Sequence, residues 1–409
     1  MNEMVFKKAL KKLYELYGEN VDPQILSRFY TEKSYLESSP DIDFFDMLSV
    51  LRSKAKKAGE HMFVRGTYSS SFIAYLLGIT EENTLPFHYY CKNCRRIELN
   101  NENAFPWDMP NKLCGCGEIM NPDGFNIPFE MHISNLKKPR ANIVVSNSFL
   151  GDVKEIISET MSVRHKLLYF ADENDRMQIA LTEKGGDDNS EARIEEVGKY
   201  ISVPYITVIP SKILDRVRSL EANTGVLTDN VPYKGGKAKE LLLSGITADI
   251  PYVSNERMVE AIRSNRPKNL FEFSKLFGAM HGTNTYVGYK KISEKFNVTM
   301  IDIPMYRDDL FLDLVERMNA YGIVDIGLAL YLTELVCKGR AEENKEFIEA
   351  ILTYLGFPPF YINYVINVKY MFHKAHSITL IKYSLIFAWY KLNFPLEYKK
   401  VIKGVSDEQ

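Results

Sequence analysis

Four of the five cysteines stand in two close pairs that could bind a metal ion. Two residues separate Cys91 from Cys94, one separates Cys114 from Cys116, and nineteen lie between the pairs. Such pairs are typical of a structural zinc site, in which four thiolates surround one tetrahedral ion. The alternative is a set of reduced cysteines without metal. The fifth, Cys337, lies in an apolar segment and is predicted to be a core residue.

A second group of chemically active residues is cationic. From Asn363 to Pro395 the chain reads NYVINVKYMFHKAHSITLIKYSLIFAWYKLNFP, which we interpret as a helical run, and Lys369, Lys374 and His376 fall within eight positions of it. A helix that presents cations beside Tyr and Phe could bind a polyanion and stack on its bases. The alternative is a buried amphipathic helix whose lysine side chains reach out to water.

A third group is RGTYSSS, which begins at Arg65 and precedes the apolar residues FIAYLL. Backbone N–H groups and hydroxyls at a helix N-terminus can hold a phosphate, and Arg65 could pair with that phosphate. Serine-rich helix starts are also common as simple caps. The residues alone leave both interpretations open.

The acidic segment PDID contains Asp41 and Asp43. Two carboxylates two positions apart on a strand would point to the same side and could hold two divalent ions. Here a third acid, Asp46, and an apolar run follow, which favours the capped start of a helix.

Composition sets the broad class. The 409 residues are enough for two or three domains, and 45% hydrophobic and 25% charged residues are ordinary for a globular protein. The net charge of −2 means that any nucleic-acid surface must be local. No apolar run reaches membrane-spanning length and the N-terminal residues lack an apolar signal core, so we expect a cytoplasmic protein without a membrane partner.

The elements that would carry these groups follow from periodicity. Helices are predicted up to Tyr17, over Pro23–Leu36 and from Asp41 onward. HKLLYFADEND and RMQIALTEK are predicted to form a β-hairpin, and SEARIEEVGKYI, with Asp188 as its cap, a helix. Short helices are predicted from Leu241 onward.

Several blocks then occur in a fixed order: RGTYSSS, the cysteine segment, DGFNIPFE, and later HGT, YRDD and KYMFHKAH. This series resembles the PolC-type bacterial replicative DNA polymerases of the C family, over roughly residues 64–145 and 265–395. The resemblance implies an α+β fold: a C-family polymerase-like palm with a zinc-knuckle insertion, followed by an all-helical fingers domain. The expected parts are 1–87 (palm, N-terminal part), 88–120 (zinc knuckle), 121–235 (reduced remainder of the palm) and 236–409 (fingers-like).

The resemblance also implies a set of residues that contact nucleotide or DNA. In the family the loop of RGTYSSS holds the triphosphate of the incoming nucleotide, and the KYMFHKAH segment lies beside that nucleotide. The matching positions here are Arg65, Gly66, Ser70, Ser71, His281, Lys369, Lys374 and His376. Tyr68 and Ser69 depart from the family loop, where small residues stand, and Asn284 replaces an aspartate.

The catalytic aspartates of the family are missing. In the family a Pro-Asp-Ile-Asp-Leu-Asn-Phe-Ser strand supplies two of them, and the matching segment here, PRANIVVS, carries Arg140 and Asn142 instead. The strand with the third aspartate is not found. Two-metal phosphoryl transfer needs anionic ligands, so these positions predict an inactive site. Magnesium would be bound only if catalysis survives elsewhere.

Three functions follow from these observations. The first is a degenerate palm–fingers core that binds DNA, as primer–template or single strand, or a nucleotide, without polymerising, in a replication-related or regulatory role. The second is an active metal-dependent polymerase or nucleotidyltransferase that uses relocated acids such as Asp41/Asp43 or Asp172/Asp175. The third is a protein-interaction module that mimics the replicative polymerase toward replication proteins.

Overall fold

The structure is a computed structural model that describes residues 2–99, 104–133, 136, 139–171, 176–183 and 203–404. The chain divides into two compact units, and each is described by itself. Unit 1 comprises Met1–Asn101, Pro110–Asn230 and Phe394–Gln409, and unit 2 comprises Glu102–Met109 and Val231–Asn393. This division differs from the predicted boundaries in three places, because 102–109 and 231–235 join unit 2 and 394–409 joins unit 1.

The strands lie in unit 1 and form two sheets. They are β1 (Met62–Arg65), β2 (His88–Cys91), β3 (Ile97–Leu99), β4 (Lys112–Leu113), β5 (Ile119–Asp123), β6 (Arg140–Val145), β7 (His165–Ala171), β8 (Met177–Glu183) and β9 (Tyr205–Pro210). The larger sheet has the order β1-β6-β9-β8-β7 and the smaller one β3-β2-β5-β4. β6 and β9 are parallel, and the other pairs of the larger sheet are antiparallel. The β7–β8 hairpin confirms the hairpin prediction.

Unit 1 also contains helices, several of which pack on one face of the larger sheet. They are α1 (Asn2–Tyr17), α2 (Pro23–Glu37), α3 (Ile42–Lys57), α4 (Phe72–Leu76), α5 (Glu130–Ile133), α6 (Leu150–Met161) and α7 (Lys212–Thr224). Side chains alternate along β6, so that Ala141, Ile143 and Val145 are fully buried in one hydrophobic core with α1, α3 and α6. The intervening residues of β6 point to the opposite, outward face of the sheet.

Unit 2 is helical over its described residues, as predicted for the C-terminal region. Its helices are α8 (Gly236–Leu243), α9 (Glu256–Asn265), α10 (Leu270–His281), α11 (Thr285–Phe296), α12 (Arg307–Ala320), α13 (Ile326–Cys337), α14 (Lys345–Tyr354), α15 (Pro359–Asn367) and α16 (Lys374–Asn393). The last helix, α17 (Pro395–Gly404), belongs to unit 1, where it packs on α7.

α16 is the central helix of unit 2. Fourteen of its twenty residues are buried, on all sides of the helix, which explains why its sequence shows little amphipathic pattern. Two of its buried hydroxyls have acceptors: Thr379 donates to the Ala375 carbonyl at 3.2 Å, and Ser384 donates to the Pro251 carbonyl at 2.8 Å. α16 can therefore carry hydroxyl side chains such as those of Thr379 and Ser384 and still lie in the core.

The prediction of one helical run from Asn363 to Pro395 is wrong in its middle. α15 ends at Asn367, α16 begins at Lys374, and the residues between them are extended. The cause is long-range pairing, since Tyr370 forms a β-bridge with Thr283 and Phe372 forms one with Tyr306. Lys369 is therefore not on the helix that carries Lys374.

Two further predictions concern the helix near residue 190 and the absence of membrane-spanning helices. The predicted helix SEARIEEVGKYI, with its cap Asp188, lies outside the described residues. Among the helices that are described, none has the length and apolar character needed to cross a membrane.

Candidate metal and nucleic-acid sites

The four paired cysteines converge at the end of the smaller sheet. Cys91 ends β2, Cys94 lies in the turn that follows, and Cys114 and Cys116 flank the turn between β4 and β5. Their four Sγ atoms all lie within 4.8 Å of one another, and they are the one group of three or more such ligands found among the described residues. The chain therefore has a four-cysteine cluster that could hold a metal such as zinc.

The geometry of the cluster fits a tetrahedral ion. The Sγ atoms of Cys91 and Cys116 are 3.7 Å apart, and those of Cys94 and Cys114 are 3.5 Å apart. Zinc–thiolate bonds of about 2.3 Å place sulfur atoms about 3.8 Å apart around a tetrahedral zinc ion. The backbone N–H of Glu118, and then the Cys114 thiol, lower the pKa of Cys116 to about 6, so this thiol ionises readily.

The two positions that the resemblance matches to the family's catalytic aspartates lie on the outward face of the larger sheet. Arg140 and Asn142 are two residues apart on β6 and therefore share this face. Asn142 is paired with Arg65 on β1 and with Thr207 on β9, and Arg140 is paired with Tyr205. We call Arg65, Arg140 and Asn142 the outward row.

The outward row is cationic. Arg140 is exposed, and its guanidinium lies 5.2 Å from the centre of the Tyr205 ring. At the outward-facing positions of β1, β6 and β9, all within the described residues, no carboxylate occurs. At the described positions of these three strands, this face therefore carries two guanidiniums and no carboxylate.

The loop that follows β1 has the backbone of a close-approach turn. Gly66 has φ +89° and ψ −144°, a conformation open to glycine alone, and a short 3₁₀ helix, Thr67–Ser70, follows. Ser71 caps α4 by accepting from the Ala74 N–H at 3.2 Å. Arg65 and Gly66 are half-buried, while Ser70 and Ser71 are buried.

A carboxylate already occupies the start of α4. Glu32 of α2 is fully buried, and it accepts from the Ser71 hydroxyl at 2.6 Å and from the N–H groups of Phe72 and Ile73 at 2.9 and 3.0 Å. Arg28 donates to the same carboxylate at 2.5 Å. Glu32 therefore takes the Ser71 hydroxyl and the first two N–H groups of α4, whereas the buried Ser70 hydroxyl has no hydrogen-bond partner among the described residues.

Tyr68 shows why the loop departs from the family pattern. Its side chain is fully buried, and its hydroxyl donates to Asp41 at 2.5 Å. The ring of His132 lies 4.8 Å from that of Tyr68, and its Nε2 is 2.5 Å from the second Asp41 oxygen. His132 Nδ1 is 3.0 Å from the Thr67 hydroxyl. The Tyr68 side chain is therefore part of a buried polar network with Asp41 and His132.

This network also accounts for the acids of PDID. α3 begins directly after Asp41, which confirms the predicted helix start, although its carboxylate makes no capping hydrogen bond. Asp43 pairs with Arg164 and lies 3.4 Å from His165 Nε2. Both acids are thus held by protein groups. Asp172 and Asp175, the other candidate pair, lie outside the described residues.

In unit 2 the HGT and KYMFHKAH motifs come together. The Thr283 N–H donates to the Tyr370 carbonyl at 2.9 Å, and the Thr285 hydroxyl donates to the same carbonyl at 2.9 Å. Gly282 is required here, because a Cβ at this position would lie 2.3 Å from the Thr285 hydroxyl and 2.7 Å from the Tyr370 carbonyl. The rings of His281 and His376 lie 5.1 and 5.2 Å from the ring of Phe372.

Buried charges support this junction. Asp308 is fully buried, accepts from the Lys374 N–H at 3.0 Å and has a pKa raised by burial. Asp309 accepts from the Lys275 ammonium at 2.8 Å; burial opposes ionisation, but Lys275 and Lys374 hold its pKa below the usual value. Burial lowers the pKa of Lys374, and Asp309 partly offsets this effect.

Two imidazoles of this region, those of His281 and His373, have lowered pKa values. Burial lowers the pKa of His281, whose Nδ1 lies 2.8 Å from the Phe277 carbonyl. Burial, together with Arg307, lowers the pKa of His373 well below its usual value. His281 and His373 are therefore neutral near pH 7. Lys369 is exposed and lines a separate polar pocket of about 340 Å³ with Asn284.

Sequence reasoning missed Glu32 and His132, the two residues that define the loop. Glu32 lies on the same face of α2 as Ile25, Phe29 and Leu36, and this helical spacing was a signal for its burial. For His132 there was a signal, since it lies just after DGFNIPFE, one of the blocks that carry the resemblance.

Comparison with known proteins gives one consistent result. No family model matches the chain. It is similar to the DNA polymerase III PolC-type of Caldanaerobacter subterraneus subsp. tengcongensis (24% identity over 95% of this chain and 33% of the relative), of Mycoplasmopsis pulmonis (24%, 97% and 32%) and of Thermotoga maritima (23%, 100% and 35%). The chain spans about a third of the length of these curated relatives. Almost all of the chain is thus similar to PolC-type DNA polymerase III proteins, which confirms the resemblance found in its motifs.

Proposed function

We propose that this chain is a PolC-type palm–fingers core that binds DNA without polymerising it. In this proposal the sheet of unit 1 is the palm, the four-cysteine cluster is a structural zinc knuckle and unit 2 corresponds to the fingers. Its role would be replication-related or regulatory, because its relatives carry the name of a replicative polymerase.

The observation that carries the proposal is the outward row. Two of its members, Arg140 and Asn142, match the positions of the family's metal-binding aspartates, and Arg65 lies beside Asn142 on β1, so that the row comprises two guanidiniums and an amide. Polymerisation needs two carboxylate-bound metal ions that stabilise the attacking and leaving oxygens. An Arg at such a position instead offers planar donors to a phosphate. The face is therefore suited to bind a DNA backbone and unsuited to extend it.

The start of α4 also supports the proposed loss of polymerase activity. In the family this region holds the triphosphate of the incoming nucleotide, and in this chain Glu32 takes the donors of the helix start. A triphosphate placed there would meet a buried carboxylate, which repels it strongly at low dielectric. We therefore favour DNA over a free nucleotide as the ligand of unit 1.

The test combines binding and extension. A fluorescent primer–template is titrated with the protein at two salt concentrations, with dNTPs and magnesium present. We expect salt-sensitive binding without extension, because backbone contacts release counterions. A variant with Arg65→Gln and Arg140→Gln should bind several-fold more weakly, while a control with Arg257→Gln and Arg263→Gln, two exposed arginines of α9, should bind as the wild type does.

Each other outcome points to a different function. Extension of the primer would overturn the proposal and support an enzyme with relocated acids; an Asp43→Ala variant would then be compared. Absence of binding at low salt would also overturn it and support the interaction-module function. Restoring Asp at positions 140 and 142 should still give no extension, because no third acid lies on the described strands β1, β6 and β9 beside them.

A further inference from the structure

A large groove lies on the other side of unit 1. It has a volume of about 1170 Å³ and is formed by α1, α3 and the end of α4 with the residues that follow. These helices pack on the core face of the larger sheet, whereas the outward row lies on the opposite face. The groove and the outward row are therefore separate surfaces.

The groove is strongly basic in a chain whose net charge is −2. Three carboxylates line it, from Glu15, Glu81 and Asp229. Against them stand seven cationic side chains, which are those of Lys8, Lys11, Lys12, Arg52, Lys54, Lys56 and Lys57. The local excess of positive charge has no counterpart in the overall composition, and it creates an anion-attracting field within a concave surface.

Two of the seven cations are unpaired within the described part of the chain, and the other five lie in ion pairs, which include Lys54 with Glu159 at 2.9 Å, Lys56 with Asp229 at 3.4 Å and Arg52 with Glu81. Lys11 and Lys57 are exposed and make no ion pair with any described residue. Lys8 lies 3.6 Å from Asp46, and Lys12 lies 3.2 Å from Glu15, as surface pairs. Surface pairs of this kind contribute at most about 1 kcal/mol, so phosphate groups can replace the carboxylates.

The lysines are arranged in two rows. Lys8, Lys11 and Lys12 lie about one turn apart on one side of α1, so they form one wall of the groove. The last turn of α3, with Lys54, Lys56 and Lys57, supplies cations from a second helix. Two rows of point charges suit a ligand with regularly spaced anions.

The floor between the rows is largely apolar. It contains Leu16, Val50, Tyr75 and Leu77, with the hydroxyl of Thr80 beside them. A duplex keeps the faces of its bases stacked inside and would leave this floor in contact with water. A single strand exposes its base faces, which can cover an apolar floor while the backbone follows the cations.

We propose that this groove binds a single-stranded nucleic acid. The sugar–phosphate backbone lies along the lysines of α1 and α3, and the bases face Leu16, Val50 and Tyr75. The site does not depend on the outward row, so it would stand or fall separately from the function proposed above.

The test uses a fluorescent oligo(dT) of about 20 nucleotides, longer than the ~4–16 nucleotides that one such groove covers. Its binding is measured between about 50 and 200 mM salt for the wild type and for a variant with Lys8→Gln, Lys11→Gln and Lys57→Gln. The slope of log K against log salt should fall in magnitude by about 2, since each lost phosphate contact removes about 0.7.

The matched control removes the same charge elsewhere. It carries Lys212→Gln, Lys237→Gln and Lys291→Gln, three exposed lysines outside the groove, and should keep the wild-type slope. Circular dichroism and thermal unfolding establish that both variants are folded. The Arg65/Arg140 variant should also keep binding oligo(dT), which separates this site from the outward row.

Three results would overturn the inference. These are no binding of oligo(dT) by the wild type at low salt, an unchanged slope in the groove variant, or an equal loss of slope in the control. Polyglutamate of matched charge serves as a competitor, and displacement of oligo(dT) at equal charge concentration would identify the groove as a surface for an acidic polypeptide instead.

Discussion

At the scale of single residues, the site is defined by side chains that replace a ligand or a metal ion. Glu32 fills the start of α4, and Arg140 stands where an acid is expected. In unit 2, Asp313 is a half-buried acid that accepts from the Tyr361 hydroxyl at 2.7 Å. In the first two cases the chemistry of one residue decides what the surrounding elements can bind.

Glu32→Ala should strongly destabilise unit 1. The change leaves the Arg28 guanidinium and three donors of the α4 start without their buried acceptor, which costs about 3 kcal/mol of unfolding free energy. Urea unfolding measures the loss. Glu37→Ala, which breaks the exposed pair with Lys33 on the same helix, should cost less than about 1 kcal/mol. Equal losses would contradict the role assigned to Glu32.

Asp313 should make unfolding free energy depend on pH. Burial raises the pKa of its carboxyl to about 6, above the value of about 3.9 for an unfolded chain. The folded state then binds the proton more tightly, so stability is greatest below pH 4 and falls as pH rises from 4 to 6. Asn at this position keeps an acceptor for Tyr361 and carries no charge.

The Asp313→Asn variant should therefore have a free energy of unfolding about 1 kcal/mol higher than that of the wild type at pH 7.5, and this difference should disappear near pH 4. The measurement is chemical denaturation at both pH values. Glu294→Gln, an exposed change on α11, is the control. A variant that is no more stable than the wild type at pH 7.5 would show that burial of the ionised Asp313 carboxylate does not lower the stability of the protein.

At the scale of elements, backbone pairing over long range shapes the site. Helices such as α1 and α3 and the β7–β8 hairpin follow from local periodicity, and the cysteine spacing predicts the four-cysteine cluster. The extended residues before Lys374 do not follow from their own sequence, which is typical of a helix. Their conformation depends on partners at Thr283 and Tyr306, more than sixty positions earlier, which no local pattern reveals.

Gly278 lies where α10 packs closely against the Tyr306 ring. A Cβ on this α10 residue would lie 2.1 Å from the Tyr306 ring, whereas a Cβ at Gly151 in α6 would meet nothing within 4 Å. Gly278→Ala should therefore lower the free energy of unfolding by about 1–3 kcal/mol through overpacking. Gly151→Ala should raise it by up to about 1 kcal/mol. Thermal unfolding tests both, and equal shifts would contradict the close contact.

The four-cysteine cluster should bind one zinc ion per chain. A purified Cys94→Ser variant should lose the metal and unfold more easily around the smaller sheet, since structural zinc binding contributes to folding. Metal analysis and chelator titration measure this loss. Cys337→Ala, a change in the buried core of unit 2, should leave the zinc content unchanged. A wild-type protein free of zinc after growth in zinc-supplemented medium would contradict the prediction.

At the scale of the whole molecule, the motifs predicted the α+β class and the helical C-terminal region, because their order along the chain is preserved. They could not predict the division into units. The residues at 102–109 join unit 2 through Asp108, which accepts from the Leu270 and Phe271 N–H groups at 2.9 and 2.8 Å. A capping contact across more than 160 positions leaves no trace in local sequence.

The place of α17 has a consequence for synthesis on the ribosome. Unit 1 needs α17, which packs on α7, yet the whole of residues 231–393 is made between these helices. At roughly 5–20 residues per second, α17 emerges about 10–30 s after α7. Unit 2 can then complete its fold first, while the α7 surface waits uncovered, and this interval is when a chaperone would bind the nascent chain.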